Sequence, residues 1–417
     1  MTMPATSNIL SQHAEGASFL WILRIRAVVA PHYSVADLTK LDNRVEANLD
    51  GLRVAGEAGW EICKQALSAE EPGEVFAAAV LAFESGNKDR LATVLEAGTA
   101  SPELSRGLVS ALGWLTFQQA GPHIKQLLAS PSLALRRVGI AASAIHRQNP
   151  GPPLVDAIAS TDPLLRARAL RAMGELGLDD LLSEVNKYLA DQDDLCRFSA
   201  AWSATLLSAH PNSLAILRSI AESNLPYREK AIQVAIRRMD ASAATAWHGK
   251  LAQDAKLIRN AIVAAGAFGD PAQIPWLLEQ MKIPVLARLA GEAFTMITGV
   301  DIAFEDLEGE KPAGFEAGPT ENPEDENVEM DPDDNLPWPD PQLIAKWWSQ
   351  HQAEFQEGTR YLLGKPISVD WCQQVLRNGR QRQRSAAALE LAIRQPGQPL
   401  FNVAAPGFRQ QRMLGVR

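Results

Sequence analysis

Seven arginines recur along the middle of the chain at a nearly constant spacing of 29 or 31 residues. They are Arg106, Arg137, Arg168, Arg197, Arg228, Arg259 and Arg288, and we call them the arginine ladder. A guanidinium group binds carboxylates and phosphates through paired hydrogen bonds, so such a row could hold an acidic partner along a groove. One arginine per repeat, just inside an alanine-rich helix, equally suits a hydrogen bond between neighbouring repeats. The recurrence of one arginine in the same register of each repeat favours this structural role.

The spacing itself indicates an internal repeat, because a fixed period of about 20 to 50 residues is typical of solenoids. Residues 162–190 show the unit most clearly. Asp162 is predicted to cap a first helix, Pro163 suits its first position, and Gly177 permits the turn into a second helix. Apolar side chains recur at helical spacing on both sides of that turn. The sequence therefore predicts an all-α fold, an α-solenoid of helix pairs.

Composition divides the chain into four predicted parts. Residues 1–73 are expected to form an N-terminal helical cap and residues 74–304 the repeat array, since a stack must cover its terminal apolar face. Residues 305–341 contain 14 acidic side chains, one basic side chain and seven prolines. This composition predicts a disordered or extended acidic linker. Residues 342–417 regain a helical pattern and carry more basic than acidic side chains.

Five residues near or within the last part are candidates for contact with a partner. Trp338, Trp347 and Trp348 could anchor a protein because aromatic residues dominate binding hot spots. Trp347 and Trp348 point about 100° apart on a helix, so we expect one to dock the segment on the array and the other to face outward. Arg380 and Arg384 belong to a basic cluster that could meet an anionic surface, although such a cluster is more often a solvated helix face.

The acidic linker could also act on the basic segment that follows it. Tethered opposite charges have a high effective concentration for each other, so the linker could screen the segment until a partner displaces it. On this hypothesis, deleting residues 313–335 strengthens partner binding at low salt.

No motif for catalysis, metal binding or cofactor binding is found. The seven histidines have no His-x-x-x-His pairing, and the sequence contains no Cys-x-x-Cys, nucleophile elbow, phosphate loop or dinucleotide fingerprint. We therefore expect no catalytic residue, no metal and no cofactor. Three widely spaced cysteines fit a reducing compartment, and neither a signal peptide nor a membrane span is indicated, so we expect a cytoplasmic protein.

The repeat pattern resembles the bacterial HEAT repeat over roughly residues 74–300. The shared features are Asp-Pro, Leu-x-Arg, an alanine-rich helix, Gly-x-x-Gly-Asp-Pro and an Ile-Pro-x-Leu-Leu helix. The resemblance implies antiparallel helix pairs stacked into a superhelix, with recurring Arg and Asp tying repeats together. With Leu336 to Pro339, the Trp347-Trp348 pair and Arg380 to Leu391, the chain also resembles a proteobacterial family of unsettled function associated with type VI secretion clusters. That resemblance implies a cytoplasmic accessory role and transfers no active-site residue.

These observations predict a noncatalytic protein-binding scaffold or adaptor that holds an effector or a secretion component. Accessory factor, effector chaperone and immunity protein fit equally well. The alternative is a HEAT-like enzyme, such as a DNA glycosylase or a bilin lyase, which resembles this architecture. The net charge of -9 disfavours a general nucleic-acid binder. No membrane partner is expected, and the oligomeric state stays open.

Overall fold

The computed structural model describes residues 4–318 and 330–416 and divides into two compact units. Unit 1 consists of Met1–Leu207 together with Pro396–Arg417, and unit 2 consists of Ser208–Gln395. Both units are built from paired α-helices, and the described residues contain only one two-stranded sheet. The prediction of an all-α repeat fold is confirmed.

Among the described residues, twelve helices of unit 1 precede unit 2 in the chain. They are α1 (Pro4–Ala27), α2 (Val35–Val54), α3 (Glu57–Ala66), α4 (Pro72–Ser85), α5 (Lys88–Thr99), α6 (Pro102–Trp114), α7 (Phe117–Leu128), α8 (Leu133–Ile145), α9 (Pro152–Ile158), α10 (Pro163–Leu176), α11 (Leu182–Asn186) and α12 (Asp194–Leu207). Short 3-10 turns occur at Leu67–Ala69 and Asp179–Leu181. Helices α4, α6, α8, α10 and α12 begin 30 or 31 residues apart and pack in succession, so each is the first helix of a repeat.

The first helices begin where a polar side chain satisfies their unpaired N–H groups. Four such capping residues recur in register: Ser101, Ser132, Asp162 and Asp193. Pro163 occupies the first turn of α10, and Gly177 ends that helix in a left-handed conformation, with a φ of 69°. The sequence prediction for this repeat is confirmed at all three positions.

Successive first helices of unit 1 approach closely because small residues separate them. A methyl group added at Gly107 in α6 would come within 2.4 Å of the carbonyl oxygen of Pro72 in α4. Under the small residues, Trp21 of α1 stacks on Phe76 at 5.6 Å, and Phe76 meets the edge of Trp114 at 5.5 Å. All three rings are buried, so α1, α4 and α6 share one aromatic core.

Unit 2 contains nine helices among the residues that the structure describes. They are α13 (Pro211–Ala221), α14 (Arg228–Arg238), α15 (Ala241–Gln253), α16 (Ile258–Phe268), α17 (Ile274–Gln280), α18 (Pro284–Thr298), α19 (Pro341–His351), α20 (Val369–Asn378) and α21 (Gln381–Arg394). Further 3-10 turns lie at Pro271–Gln273 and Gln352–Glu354. Strands β1 (Tyr361–Leu362) and β2 (Lys365–Pro366) form an antiparallel hairpin in which Tyr361 faces Pro366.

The last segment of the chain returns to unit 1. Residues 396–406 form no helix or strand, and α22 (Gly407–Leu414) follows. Helix α22 packs against α2, and the Phe408 ring meets the edge of Trp114 at 5.9 Å. We call residues 396–406 the return segment. The aromatic core of unit 1 therefore includes a residue from the far end of the chain.

Parts of the predicted acidic linker are folded into unit 2. Glu308 and Pro339 form an antiparallel bridge, and the Gly309 N–H donates to the Trp338 carbonyl at 2.8 Å. The side chains of Leu307 and Leu336 are buried. These contacts differ from the expectation of a disordered or extended segment. The reason is that apolar residues between the acidic residues are buried in the core of unit 2. Residues 319–329 of the predicted linker lie outside the described residues.

A buried ionic cluster lies in unit 2 around Glu390 of α21. Its carboxylate accepts a hydrogen bond from Arg360 and lies 3.4 Å from the Arg237 Nε and 3.5 Å from the Arg394 Nε. The side chains of Glu390 and Arg237 are each 2% exposed. One carboxylate is thus the shared ion-pair partner of guanidinium groups from α14, α21 and the chain just before β1.

His248 of α15 is expected to make the stability of unit 2 depend on pH. Its ring is buried and meets the edge of Trp276 at 4.8 Å, and burial lowers its pKa from 6.5 to about 4. The unfolded chain therefore binds a proton at a higher pH than the folded chain does. Stability is fully present above about pH 6.5 and falls by up to about 3 kcal/mol as the pH approaches 4.

Urea denaturation monitored by tryptophan fluorescence, at several values between about pH 7 and pH 4, checks this. The wild type is compared with His248→Phe, which keeps an aromatic ring beside Trp276 and removes the titrating group. The difference in unfolding free energy between the two proteins should change across this interval. A constant difference would contradict the assignment.

Candidate partner-binding cleft

A cavity of about 480 Å³ opens within unit 1. Residues from the first helices α6, α8 and α10 line it, together with residues of α1 and of the return segment. The volume lies within the range of roughly 300 to 1,000 Å³ that is usual for ligand sites. We call this cavity the cleft, and it is the candidate functional site.

Three members of the arginine ladder line the cleft: Arg106, Arg137 and Arg168. Arg106 and Arg137 each lie five residues after their capping residues, Ser101 and Ser132. Arg168 lies six residues after its capping residue, Asp162, and its side chain also lines the cavity. The ladder thus places one guanidinium group from each of three successive repeats around one cavity.

Glu175 is a counter-ion on the α10 side of the cleft. Its carboxylate lies 2.6 Å from the Arg168 Nη2 and 3.3 Å from the Arg171 Nε. Burial alone would raise the pKa of Glu175, but the positive charges of Arg168, Arg171 and Arg147 outweigh this and lower it to about 2. Glu175 is therefore ionised at neutral pH and serves as the ion-pair partner of Arg168.

The α6 and α8 side of the cleft keeps its positive charge. Arg106 is exposed and Arg137 is half-buried. The Arg137 Nη2 donates to the hydroxyl of Ser105 at 3.3 Å, which is a neutral acceptor on the preceding repeat. Within residues 4–318 and 330–416, no carboxylate lies within ion-pair distance of either guanidinium group.

Part of the cleft wall is apolar. Ile25 and Val28 of α1, Val109 of α6 and Ile145 of α8 line the cavity. Arg24 also lines the cleft, but its Nε donates to the buried carboxylate of Asp42 at 2.6 Å. The cleft therefore combines two positive groups with an apolar wall.

The return segment forms one edge of the cleft through Asn402, Ala404, Ala405 and Pro406. The Arg24 Nη2 donates to the Ala404 carbonyl at 2.9 Å, and the side-chain amide of Asn402 donates to the carbonyl of Ile145 at 3.3 Å. The segment thus crosses the ends of successive first helices in a nonhelical conformation.

Further contacts fix both ends of the return segment. The Leu400 N–H donates to the carbonyl of Glu175 at 3.0 Å, and the Arg147 Nε donates to the Leu400 carbonyl at 2.6 Å. Arg409, just beyond the segment, donates to the carbonyls of Gly113 and Leu115 at the end of α6. Arg409 thus satisfies carbonyls at the end of α6 that have no partner within the helix.

The remaining ladder arginines have other surroundings. Arg197 donates to the Asp191 carbonyl at 2.7 Å in the loop before α12 and to the carboxylate of Asp194, the first residue of α12. Arg228 is half-buried and begins α14. The members of the ladder therefore have different local surroundings.

In unit 2, ladder arginines bind the acidic segment. Arg259 makes a bidentate ion pair with Asp333 at 2.8 and 2.9 Å. Arg288 lies 2.5 Å from Asp331, donates to the Asp333 carbonyl at 3.1 Å, and stacks over the Trp338 ring at 4.6 Å. These two arginines hold the end of the predicted linker.

The three candidate tryptophans of the C-terminal part pack within unit 2. Trp338 covers Arg288 and contacts the ring of Phe315 at 5.0 Å. Trp347 meets Phe294 at 5.7 Å, and both Trp347 and Trp348 pack against the core formed by α16 to α18. The expectation that one of the adjacent pair faces outward is corrected, because each ring is partly buried on that core.

The two candidate arginines of α21 differ in exposure. Arg380 is 47% exposed and lies 3.2 Å from Asp301. Arg384 is fully buried, donates to the carbonyl of Leu376 at 2.8 Å and to the side chain of Gln381, and has its pKa lowered by burial to about 10. The prediction that Arg384 contacts a partner is corrected, because its guanidinium group is enclosed between α20 and α21.

Sequence reasoning missed several residues that shape unit 1. Arg166 joins two repeats through an ion pair of 2.8 Å with Asp191. It lies four residues after its cap, as Arg136 and Arg197 do, so alignment on the capping residues would have revealed it. Arg147 and Glu175 carry no such signal, because their partners in the return segment are distant in sequence.

Metal-binding clusters and reactive cysteine thiols are common means of catalysis. The described part of the chain contains no cluster of three or more His, Cys, Asp or Glu residues that could hold a metal ion. Cys63, Cys196 and Cys372 are buried free thiols, and burial raises the pKa of each to about 11 or 12. A thiol with such a pKa is a poor nucleophile at neutral pH. In the same residues, no helix is both long and apolar enough to cross a bilayer.

Comparison with known proteins identifies the repeat. A family model described as HEAT repeats matches residues 151–237, about a fifth of the chain. The match runs from α9 to α14 and so includes the capped first helices α10 and α12. No curated protein was found to match the chain. The helix pairs of this protein are therefore similar to HEAT repeats.

Proposed function

We propose that this protein is a noncatalytic protein-binding scaffold or adaptor, and that the cleft of unit 1 is its binding site. HEAT-like repeats commonly present extended surfaces to proteins. The observation that carries the proposal is the convergence of Arg106, Arg137 and Arg168, from three successive repeats, on one cavity with an apolar wall. An apolar cavity with a few convergent polar groups is the usual form of a binding site.

The partner that we propose is an effector or a secretion component of a type VI secretion system. This step rests on the sequence resemblance, which extends over the N-terminal part, the array and the C-terminal helices. It makes the protein a cytoplasmic accessory factor, an effector chaperone or an immunity protein of that system. The three roles differ in when the partner is released, and they share the requirement for a specific protein contact.

A capture experiment with a matched control tests the proposal. The full-length wild type, the double variant Arg106→Glu/Arg137→Glu and the single variant Arg26→Glu are used to capture proteins from cells of the native organism, and mass spectrometry identifies them. Arg26 is an exposed arginine of α1 that does not line the cleft. We expect the same partner with the wild type and Arg26→Glu, and its loss with the double variant.

Two results would contradict the proposal. One is capture of the same proteins by all three forms, which would place the contact elsewhere. The other is salt-dependent binding of DNA that the double variant abolishes, which would favour the glycosylase alternative. Thermal unfolding of each variant checks that the fold is retained.

A further inference from the structure

Two positive groups of the cleft have no counter-ion among the residues that the structure describes. Arg168 is paired with Glu175 at 2.6 Å, and Arg24 is paired with Asp42 at 2.6 Å. Arg106 and Arg137 are different, since Arg137 contacts only a neutral hydroxyl within hydrogen-bond distance among the described side chains. A ligand that pairs with both groups must therefore bring negative charge to α6 and α8.

The ligand must also bring apolar surface. Ile25, Val28 and Val109 line the same cavity as Arg106 and Arg137. Free inorganic phosphate or a sugar phosphate would satisfy the guanidinium groups and leave this wall in contact with water. A ligand with both a carboxylate and an aliphatic or aromatic group covers both parts of the cleft.

The return segment shows that this face of unit 1 already binds a polypeptide in a nonhelical conformation. The carbonyls of Leu400 and Ala404 accept hydrogen bonds from Arg147 and Arg24, so arginines here hold peptide backbone across successive repeats. Ala404, Ala405 and Pro406 then form an edge of the cavity. A second peptide beside this segment would lie on a surface where arginines from successive repeats already bind the backbone of a polypeptide.

Nucleic acid fits the cleft less well than a peptide does. Binding of a nucleic acid uses many phosphate contacts along a basic surface and exposed aromatic faces for stacking. Trp21 and Trp114 line the cleft but are 2% and 6% exposed, and the Trp114 indole N–H is already bonded to Glu46. Acidic side chains also outnumber basic ones in unit 1 as a whole.

We propose that the cleft binds an acidic peptide segment of a partner protein, with carboxylates at Arg106 and Arg137 and an apolar side chain against Ile25, Val28 and Val109. This inference rests on the proposed protein-binding function and names the chemistry of the contact. Arg106 and Arg137 set the preference for acidic sequence. The apolar wall requires at least one large aliphatic or aromatic residue within the same few positions of the peptide.

A library of random dodecapeptides displayed on phage is selected on the full-length wild type, and enriched peptides are synthesised with a fluorescent label. We expect enrichment of Asp or Glu next to Leu, Ile, Val or Phe. In fluorescence polarisation, the double variant Arg106→Glu/Arg137→Glu should weaken binding by about 30-fold or more, since two charge pairs become repulsive. Arg26→Glu should change binding by less than about threefold.

A charge-reversed peptide separates a direct contact from an indirect effect. Replacing the acidic residues of the peptide by lysine should abolish binding to the wild type and restore at least part of it to the double variant. The inference is overturned if selected peptides lack acidic residues, if the double variant binds them as the wild type does, or if no peptide is selected. In each case the capture experiment can still succeed, so failure of the peptide chemistry is distinguishable from failure of the protein-binding function.

Discussion

Replacing Glu390 by alanine is expected to lower the free energy of unfolding of unit 2 by about 4 kcal/mol. Removing one member of a buried ion cluster leaves its partners charged and without compensation, which costs more than the intact cluster contributes. Arg237 is the most affected partner, since it is almost fully buried and its pKa is already lowered by burial to about 10. Arg360 retains the Phe268 carbonyl at 2.8 Å as an acceptor.

Chemical denaturation of Glu390→Ala and of Glu279→Ala measures the effect. Glu279 is paired with Lys282 in α17, and its side chain is 64% exposed, so its removal should change stability by less than about 1 kcal/mol. A second variant, Arg237→Met/Glu390→Leu, replaces the pair by apolar groups and should recover much of the loss. Similar losses for Glu390→Ala and Glu279→Ala would show that burial of the cluster contributes little.

Replacing Asp42 by alanine is expected to destabilise unit 1 by about 3 to 4 kcal/mol and to release the return segment. Asp42 is fully buried in α2. One carboxylate oxygen accepts from the Arg24 Nε at 2.6 Å, and the other accepts from the Gly407 N–H at 2.5 Å. Its loss leaves a buried guanidinium group unpaired and removes the anchor at the start of α22.

Thermal unfolding and limited proteolysis followed by mass spectrometry report on the two parts of this prediction. New cleavage should occur within residues 396–406. Asp50→Ala is the matched control, because Asp50 also pairs with an arginine on α2 but its side chain is 64% exposed. A return segment that resists protease equally in both variants would contradict the anchoring role of Asp42.

The repeat was predictable because its signals are local. Asp162, Pro163 and Gly177 each act on the backbone within a few residues, so their types alone predicted a capped helix and its turn. The same holds for the period of the first helices, which follows from recurring caps. Local signals of this kind do not depend on how distant parts of the chain meet.

The fate of each ladder arginine was not predictable from spacing alone. Arg137 lies five residues after its cap, Arg168 six and Arg197 four. Each residue of offset rotates a side chain by about 100° around the helix, so nearly equal spacing does not place the arginines on one line. The ladder arginines that follow their caps by five or six positions line the cleft. Arg197 instead donates to the Asp191 carbonyl in the loop before its own helix.

Contacts between distant residues were equally hidden. Arg147 binds Leu400, and Asp42 binds Gly407, across more than half of the chain. Arg384 was placed in a basic surface cluster because charge counts do not reveal which member of a helix is enclosed. The composition of the acidic segment predicted disorder. Asp331 and Asp333 instead form ion pairs with buried or half-buried arginines of unit 2.

The discontinuous composition of unit 1 has a consequence for its biosynthesis. Residues 1–207 leave the ribosome before unit 2, and residues 396–417 follow unit 2. Until then the nascent unit 1 lacks Ala404, Ala405 and Pro406 at the edge of its cleft and Phe408 in its aromatic core. The cleft of unit 1 is therefore complete only after unit 2 has been translated.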